Sequence, residues 1–237
     1  MDIQQYIDSL NLMLSNRWSS LLFGIGITLL LNVVTISVGL LLGAGMFLWR
    51  YSESKPGVMV TEVFRVVLTY IPPANWLLLV FYIIFRGRLE LNLTAALVAL
   101  SILFGFCVFS TAYDALEKVS SGEKEAVISM GYSRYKALVK IYIPRAMPYF
   151  LDGLKGCVRA HIQNTAFAEL IYVADVQFVS DAMAAENPNT IAPLLLSTAI
   201  YVLLEIICDK ILNRLMEAYR YEKPSDKIED NIKKGKF

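Results

Sequence analysis

A run of apolar residues at positions 18–49 limits what this chain can fold into. The run contains no Lys, Arg, Asp or Glu, and it is longer than the about 20 residues that a helix needs to cross a bilayer. Because the hydrocarbon core contains no water to bond the backbone, a spanning segment forms a helix, in which its amide and carbonyl groups hydrogen-bond to each other. The run therefore predicts a transmembrane helix at 18–49, preceded by an extracytoplasmic segment at 1–17.

Further apolar segments repeat this pattern along the chain. The four that follow are predicted as spans at 66–85, 91–113, 149–173 and 191–212. The chain is 56% hydrophobic and only 18% charged, whereas soluble domains average about 25% charged residues. We therefore expect an all-α integral membrane protein with five transmembrane helices and a charged tail at 216–237. The pair Pro72-Pro73 interrupts the second span, which a membrane helix tolerates where neighbours satisfy the freed carbonyls.

The basic residues outside these spans are distributed unequally between the two sides. The connection 50–65, the loop 114–145 and the tail hold most of them, while the opposite side offers only Arg17, Arg86 and Arg88. Short loops rich in Lys and Arg remain in the cytoplasm. This asymmetry predicts an N-terminus outside and a C-terminus in the cytoplasm.

The remaining composition argues against several classes of protein. A net charge of +1 gives no reason to expect nucleic acid as a partner. Cys107, Cys157 and Cys208 lie in apolar segments without metal-ligand spacing, so we interpret them as small buried apolar side chains. With His161 as the single histidine, we expect no metal site and no catalytic residues. A secondary transporter or channel for small polar solutes is the alternative function, although no inverted repeat supports it.

The polar loop between the third and fourth spans carries the most specific pattern. Ser120 or Ser121 can cap a short helix, and Gly131 can end that helix in the left-handed conformation. Ser133 can begin a second helix, and Pro144 is expected to close the unit. Two short helices around a glycine turn predict a cytoplasmic projection that docks a partner.

This loop resembles the EAA loop of ABC importer permeases, which reads Glu-Ala-Ala, three residues, Gly, nine residues, Ile, one residue, Leu-Pro. The matching positions here are Glu125, Ala126, Gly131, Ile141 and Pro144. The resemblance extends over most of residues 20–215. Within that family the chain is similar to the polar amino acid branch (histidine/arginine/glutamine type), whose arrangement the runs at 110–113 and 163–168 match.

The resemblance implies a type I importer permease fold (MetI-like) over residues 18–215, in a bacterial inner membrane and surrounded by its lipid. It implies two permeases, identical or related, around a pathway for a polar amino acid, a cationic one included. Two partner ATPases would bind ATP and Mg²⁺ and engage the 123–144 loop. An extracytoplasmic solute-binding protein would deliver the solute. The chain has no GxxxxGK[ST] motif, so we expect it to bind no cofactor itself.

Polar residues within the predicted spans are candidates for contact with the solute, because they are costly in hydrocarbon. The pathway candidates are Asn164, Thr165, Glu169, Thr69, Tyr70 and Asn75. The last three lie near the prolines, where an opened helix would expose carbonyl groups. Glu169 is open to three interpretations: a site for a cationic amino acid, an ion pair with a neighbouring helix or subunit, or a position at the outer interface.

A second group of charges lies on one face of the fourth span. Asp152, Lys155 and Arg159 are three to four residues apart and share that face. They are candidates for an ion pair, either Asp152 with Lys155 or between subunits, for an amphipathic entry at the membrane surface, or for a gate. Direct contact with substrate is the remaining interpretation.

Overall fold

The computed structural model describes residues 3–186 and 191–218, which are almost wholly helical. The α-helices are α1 Ile3–Tyr51, α2 Lys55–Tyr70, α3 Pro73–Leu79, α4 Asn92–Glu117, α5 Ser121–Ser129, α6 Arg134–Ala137, α7 Ile143–Thr165, α8 Val176–Glu186 and α9 Ile191–Ala218. π-helical turns follow α3 at Val80–Ile84 and α6 at Leu138–Tyr142. Turns of 3-10 helix lie at Leu89–Leu91 and at Ala166–Ile171.

Three helices in the described part are long and apolar enough to cross a membrane. They are Arg17–Tyr51, Leu89–Glu117 and Ile191–Glu217, and they contain the predicted spans 18–49, 91–113 and 191–212. α2 and α3 qualify together as a fourth, bent, span. α7 has 23 residues but carries the polar face described below, so composition does not identify it as a span.

The second predicted span, 66–85, is not one straight helix. α2 ends at Tyr70, Ile71 is extended (φ −87°, ψ 123°), and α3 begins after Pro72. Because a proline ring disfavours helical backbone at the preceding residue, the break falls at Ile71. The helix axis bends by 115° across this break. The proline pair therefore sends the chain in a new direction.

α1 packs along α4 at glycines spaced four residues apart. A Cβ atom added at Gly39 would lie 2.7 Å from the Phe104 ring, and one added at Gly43 would lie 2.6 Å from the carbonyl oxygen of Gly105. Neither position leaves room for a side chain. The glycines therefore allow the two backbones to approach closely within the membrane.

Buried polar side chains join α1 to α7 above this contact. The Thr35 hydroxyl lies 2.6 Å from His161 Nε2, and Asn32 Nδ2 donates to Thr165 Oγ1 at 3.3 Å. All four residues are buried. Interhelical hydrogen bonds of this kind fix the register of helices in hydrocarbon, where a polar group without a partner is costly.

Asp175, in the connection between α7 and α8 and outside the predicted spans, caps α8. It is fully buried, and its carboxylate accepts hydrogen bonds from the Phe178 amide at 2.9 Å and from the Tyr201 hydroxyl at 3.1 Å. Burial raises the pKa of Asp175 to about 6, and these hydrogen bonds offset part of that rise. The carboxylate thus holds α8 against α9.

The raised pKa of Asp175 predicts a pH-dependent stability. The folded protein binds the proton more tightly than the unfolded chain, so this contribution is present below pH ~4 and is lost as the pH rises through about 6. We expect the free energy of unfolding of the wild type, measured by thermal unfolding, to fall relative to that of Asp175→Asn by about 2 kcal/mol between pH 4 and 7. A difference between the two proteins that does not change with pH would contradict this assignment.

Candidate coupling surface and solute pathway

The loop between α4 and α7 forms the helix–turn–helix unit that the sequence predicts. The Glu123 amide donates to Ser120 Oγ at 3.2 Å, so Ser120 caps α5. α5 ends at Ser129, and Gly131 takes the left-handed conformation with φ +76°. Ser133 is extended and precedes α6, although its side chain makes no capping hydrogen bond. The turn therefore depends on glycine, since L-residues with side chains are strained at such a φ.

Pro144 does not close this unit, contrary to the expectation from sequence. The backbone remains helical from α6 through the π-turn into α7, and the Ile143 amide bonds to the carbonyl of Leu138, five residues earlier. A proline inside a regular helix removes a hydrogen bond and clashes with the carbonyl four residues before it. The wider π-turn precedes Pro144, so the proline lies near the start of α7 and the helix continues.

Arg134 anchors the unit to the C-terminal end of α1. Its guanidinium lies 2.6 Å from a carboxylate oxygen of Glu53 and 4.6 Å from the centre of the Tyr51 ring. The Tyr51 hydroxyl donates to the Arg134 carbonyl at 3.2 Å. The hydrogen bond and charge of Arg134 lower the pKa of Glu53. Sequence reasoning missed these contacts because they join residues far apart in the chain.

The unit exposes large apolar side chains outside the membrane-spanning helices. The exposed fractions are 63% for Met130, 55% for Tyr135 and 62% for Val139. Glu125 and Pro144 are exposed and Ile141 is partly buried, whereas the side chain of Ala126 lies outside the described part. Exposed apolar groups on a polar loop indicate a surface for a protein partner.

A cavity of about 270 Å³ lies between α2, α4 and α7. Its polar lining residues are Ser110, Thr111, His161 and Asn164, and Cys107 and Cys157 also border it. Asn164 is therefore placed on a cavity, as a pathway residue requires. Thr165 is not, because it is fully buried and bonded to Asn32 and to the Ile162 carbonyl. Thr69, Tyr70 and Asn75 are exposed and are not among the residues that line this cavity.

The polar face of α7 pairs with α9, and this pairing replaces the predicted contact of Asp152 with Lys155. Three contacts follow each other along the two helices: Lys155 Nζ to Asn213 Oδ1 at 2.9 Å, Arg159 Nη2 to Asp209 Oδ2 at 2.8 Å, and Gln163 Nε2 to Glu205 Oε1 at 2.8 Å. Among the described residues Asp152 forms no ion pair and is exposed. The sequence placed Asp152, Lys155 and Arg159 on one face but could not show that α9 pairs with Lys155 and Arg159.

Glu169 lies in the 3-10 turn after α7, where carboxylates surround it. Its side chain is partly buried and approaches those of Asp181 and Asp175. In the part of the chain that the structure describes, no Lys or Arg forms an ion pair with it. An ion pair with a neighbouring helix of the same chain is therefore not formed there.

The arrangement of these helices is that of known transport permeases. A chain from the crystal structure of an amino acid ABC transporter with histidines superposes with a TM-score of 0.78 over 87% of this chain and 97% of that one, at 23% identity. A chain of the MetNI methionine ABC transporter in an inward-facing conformation gives a TM-score of 0.70 over 86% of this chain and 98% of that one, at 17% identity. The fold is thus that of ABC transporter permeases.

The sequence assigns the family. The family model described as "Binding-protein-dependent transport system inner membrane component" matches residues 36–219, so the chain belongs to this family of membrane permeases. The arginine transport system permease protein ArtQ of Bacillus subtilis is 25% identical over 79% of this chain and 86% of its own length. The arginine ABC transporter permease protein ArtQ of Escherichia coli K12 is 23% identical over 88% and 98%.

Proposed function

We propose that this chain is the permease subunit of an ATP-driven importer for a polar amino acid, coupled to a separate ATPase through the helix–turn–helix unit at 121–142. The observation that carries the coupling is the exposure of Met130, Tyr135 and Val139 on a loop outside the membrane-spanning helices. Residues with the EAA spacing, including Glu125, lie in the same unit. The ATPase would supply ATP binding, for which this chain has no motif.

The exposed face of α7 supports pairing with a second permease. Asp152, Gly156, Arg159, Ala160 and Gln163 remain exposed along this face, although Arg159 and Gln163 also bond to α9. Charged and polar side chains on a membrane helix are costly against lipid, and small residues allow another helix to approach closely. A second permease, with an aqueous pathway between the two subunits, would remove this face from lipid.

The chemistry of the cavity beside α7 supports the proposal that the solute is small and polar. Its hydroxyl, amide and imidazole groups are neutral hydrogen-bonding groups among apolar walls, which is the usual chemistry of small-molecule sites. The names of the relatives point to amino acids, among them arginine, cystine, D-methionine and glutamine. The proposal also includes an extracytoplasmic binding protein that delivers the solute. It places the N-terminus outside and the C-terminus in the cytoplasm.

Purification of the tagged full chain in mild detergent tests the proposal. We expect a P-loop ATPase to co-purify with the wild type, identified by mass spectrometry, and uptake of a labelled amino acid to require ATP hydrolysis. Met130→Asp should remove most of the ATPase, because a carboxylate replaces the exposed apolar contact. Ser129→Asp, which adds the same charge at the adjacent exposed position, is the matched control.

Two results would overturn the proposal. In the first, no ATPase is recovered even after chemical crosslinking of intact membranes. In the second, uptake persists with an ATPase that cannot hydrolyse ATP, which would favour an ATP-independent transporter.

A further inference from the structure

Two of the cysteines that the sequence analysis interpreted as small buried apolar side chains form a disulfide. Cys107 of α4 and Cys157 of α7 are bonded, with Cα atoms 5.9 Å apart and 50 residues between them in sequence. Cys208 is the free cysteine of the chain. The earlier interpretation of Cys107 and Cys157 is therefore wrong: sequence spacing cannot show that two helices bring these residues together.

The disulfide borders the polar cavity beside α7. Both cysteines line that cavity with Asn164 and His161. Cys157 is buried at 5% exposure, whereas Cys107 is only partly buried. Cys107 lies ten residues before Glu117, the end of α4, which places it about 15 Å from that end at 1.5 Å per residue. A small molecule in the cavity can reach the bond at this depth, whereas a folded protein reductant cannot.

We propose that the Cys107–Cys157 bond is a reversible covalent modification of the pathway wall, exchanged with small thiols and disulfides that enter the cavity. An incoming thiolate attacks Cys107 Sγ, the more accessible sulfur, and Cys157 leaves as a thiolate. A second thiol then attacks the mixed disulfide on Cys107 and releases the small disulfide. Two thiols are thus oxidised as the protein disulfide is reduced to two thiols, and a small disulfide reverses the exchange.

Thr111 favours this direction of cleavage. Its Oγ1 atom lies 3.2 Å from Cys157 Sγ, so the hydroxyl can donate a hydrogen bond to the thiolate as it leaves. A thiolate that leaves more easily speeds exchange, and a hydrogen bond from the hydroxyl stabilises the thiolate as it leaves. Thr111 is therefore a positioning residue for the exchange.

The bond joins the two helices that flank the helix–turn–helix unit. α5 and α6 lie in the chain segment between Cys107 and Cys157, so the bond closes a loop around them. Beside the bond, a Cβ at Gly153 of α7 would lie 2.5 Å from Thr111 of α4, so these helices already pack closely. In the oxidised form the disulfide ties α4 to α7, whereas in the reduced form only side-chain packing holds the two helices together.

Counting free thiols in the full chain, purified without reductant, tests the proposal. The chain has 3 cysteines. We expect a maleimide to label only Cys208 after denaturation, and all three after treatment of the native protein with a small dithiol. The dithiol should also lower the thermal midpoint by several degrees, and a small disulfide should restore it. Cys107→Ser should show two labelled thiols without reductant and no response to dithiol.

Two outcomes would overturn the proposal, and a third would remove the part of Thr111 in it. Labelling of all three cysteines without reductant would show that the bond is absent. Reduction only after denaturation would show that the cavity gives no access. A rate of native reduction in Thr111→Val equal to that of the wild type would remove the role of the hydroxyl, because we expect this variant to react several-fold more slowly. Ser110→Ala, which also changes a cavity hydroxyl, is the matched control and should react at the wild-type rate.

Discussion

Gly131→Val is expected to remove most of the ATP-driven uptake while the chain remains folded in the membrane. Gly131 holds φ +76° between α5 and α6, and a Cβ there would meet no atom within 4 Å. The penalty therefore comes from the backbone: a left-handed residue with a side chain costs about 1–2 kcal/mol, and more when it is β-branched. The turn would relax to another conformation and move Met130 and Tyr135 out of their relative positions.

Three measurements separate this effect from simple misfolding. Uptake and recovered ATPase should both fall at least about tenfold, the factor that corresponds to ~1.4 kcal/mol, while the level of the chain in membranes is unchanged. Gly131→Asn should retain most activity, because asparagine tolerates the left-handed conformation. Gly122→Ala, in α5 and open to solvent, should behave as wild type. Normal uptake by Gly131→Val would show that the turn geometry does not matter for coupling.

Gly43→Ala is expected to destabilise the whole protein by about 1–3 kcal/mol through overpacking. The added Cβ would lie 2.6 Å from the Gly105 carbonyl oxygen and 2.7 Å from Val108, so part of the clash is with backbone that cannot rotate away. α1 would have to move off α4 along their shared contact. Thermal unfolding in detergent should occur roughly 2–12 °C lower, since 1 kcal/mol shifts the midpoint of a chain of this size by about 2–4 °C.

The same helix offers the matched control. Gly45 lies two residues further along α1, and a Cβ there would meet nothing within 4 Å. Gly45→Ala should leave the midpoint unchanged or raise it slightly, because alanine is the better helix former. Equal midpoints for the two variants would show that close approach of α1 and α4 does not contribute to stability.

The sequence predicted most of the helix–turn–helix unit because its signals are local. Ser120 caps α5 and Gly131 ends it, and each feature follows from the conformational preference of one residue. The prediction that Pro144 closes the unit was wrong because a π-turn accommodates the proline. The identity of the residue gives no indication of that turn. The ion pair of Arg134 with Glu53 could not be predicted from local signals, because the two residues are distant in the chain.

The sequence by itself determined the class of molecule: long apolar segments require helices in a membrane, and the spacing of Glu125, Gly131 and Ile141 indicates the permease family. Tertiary structure decided which polar residues meet. Only the packed bundle sets Asn164 on a cavity, Thr165 in the core, Arg159 against Asp209 and Cys107 against Cys157. The physical reason is that periodicity specifies the face of a helix on which a residue lies, whereas its neighbour across that face depends on how separate helices pack.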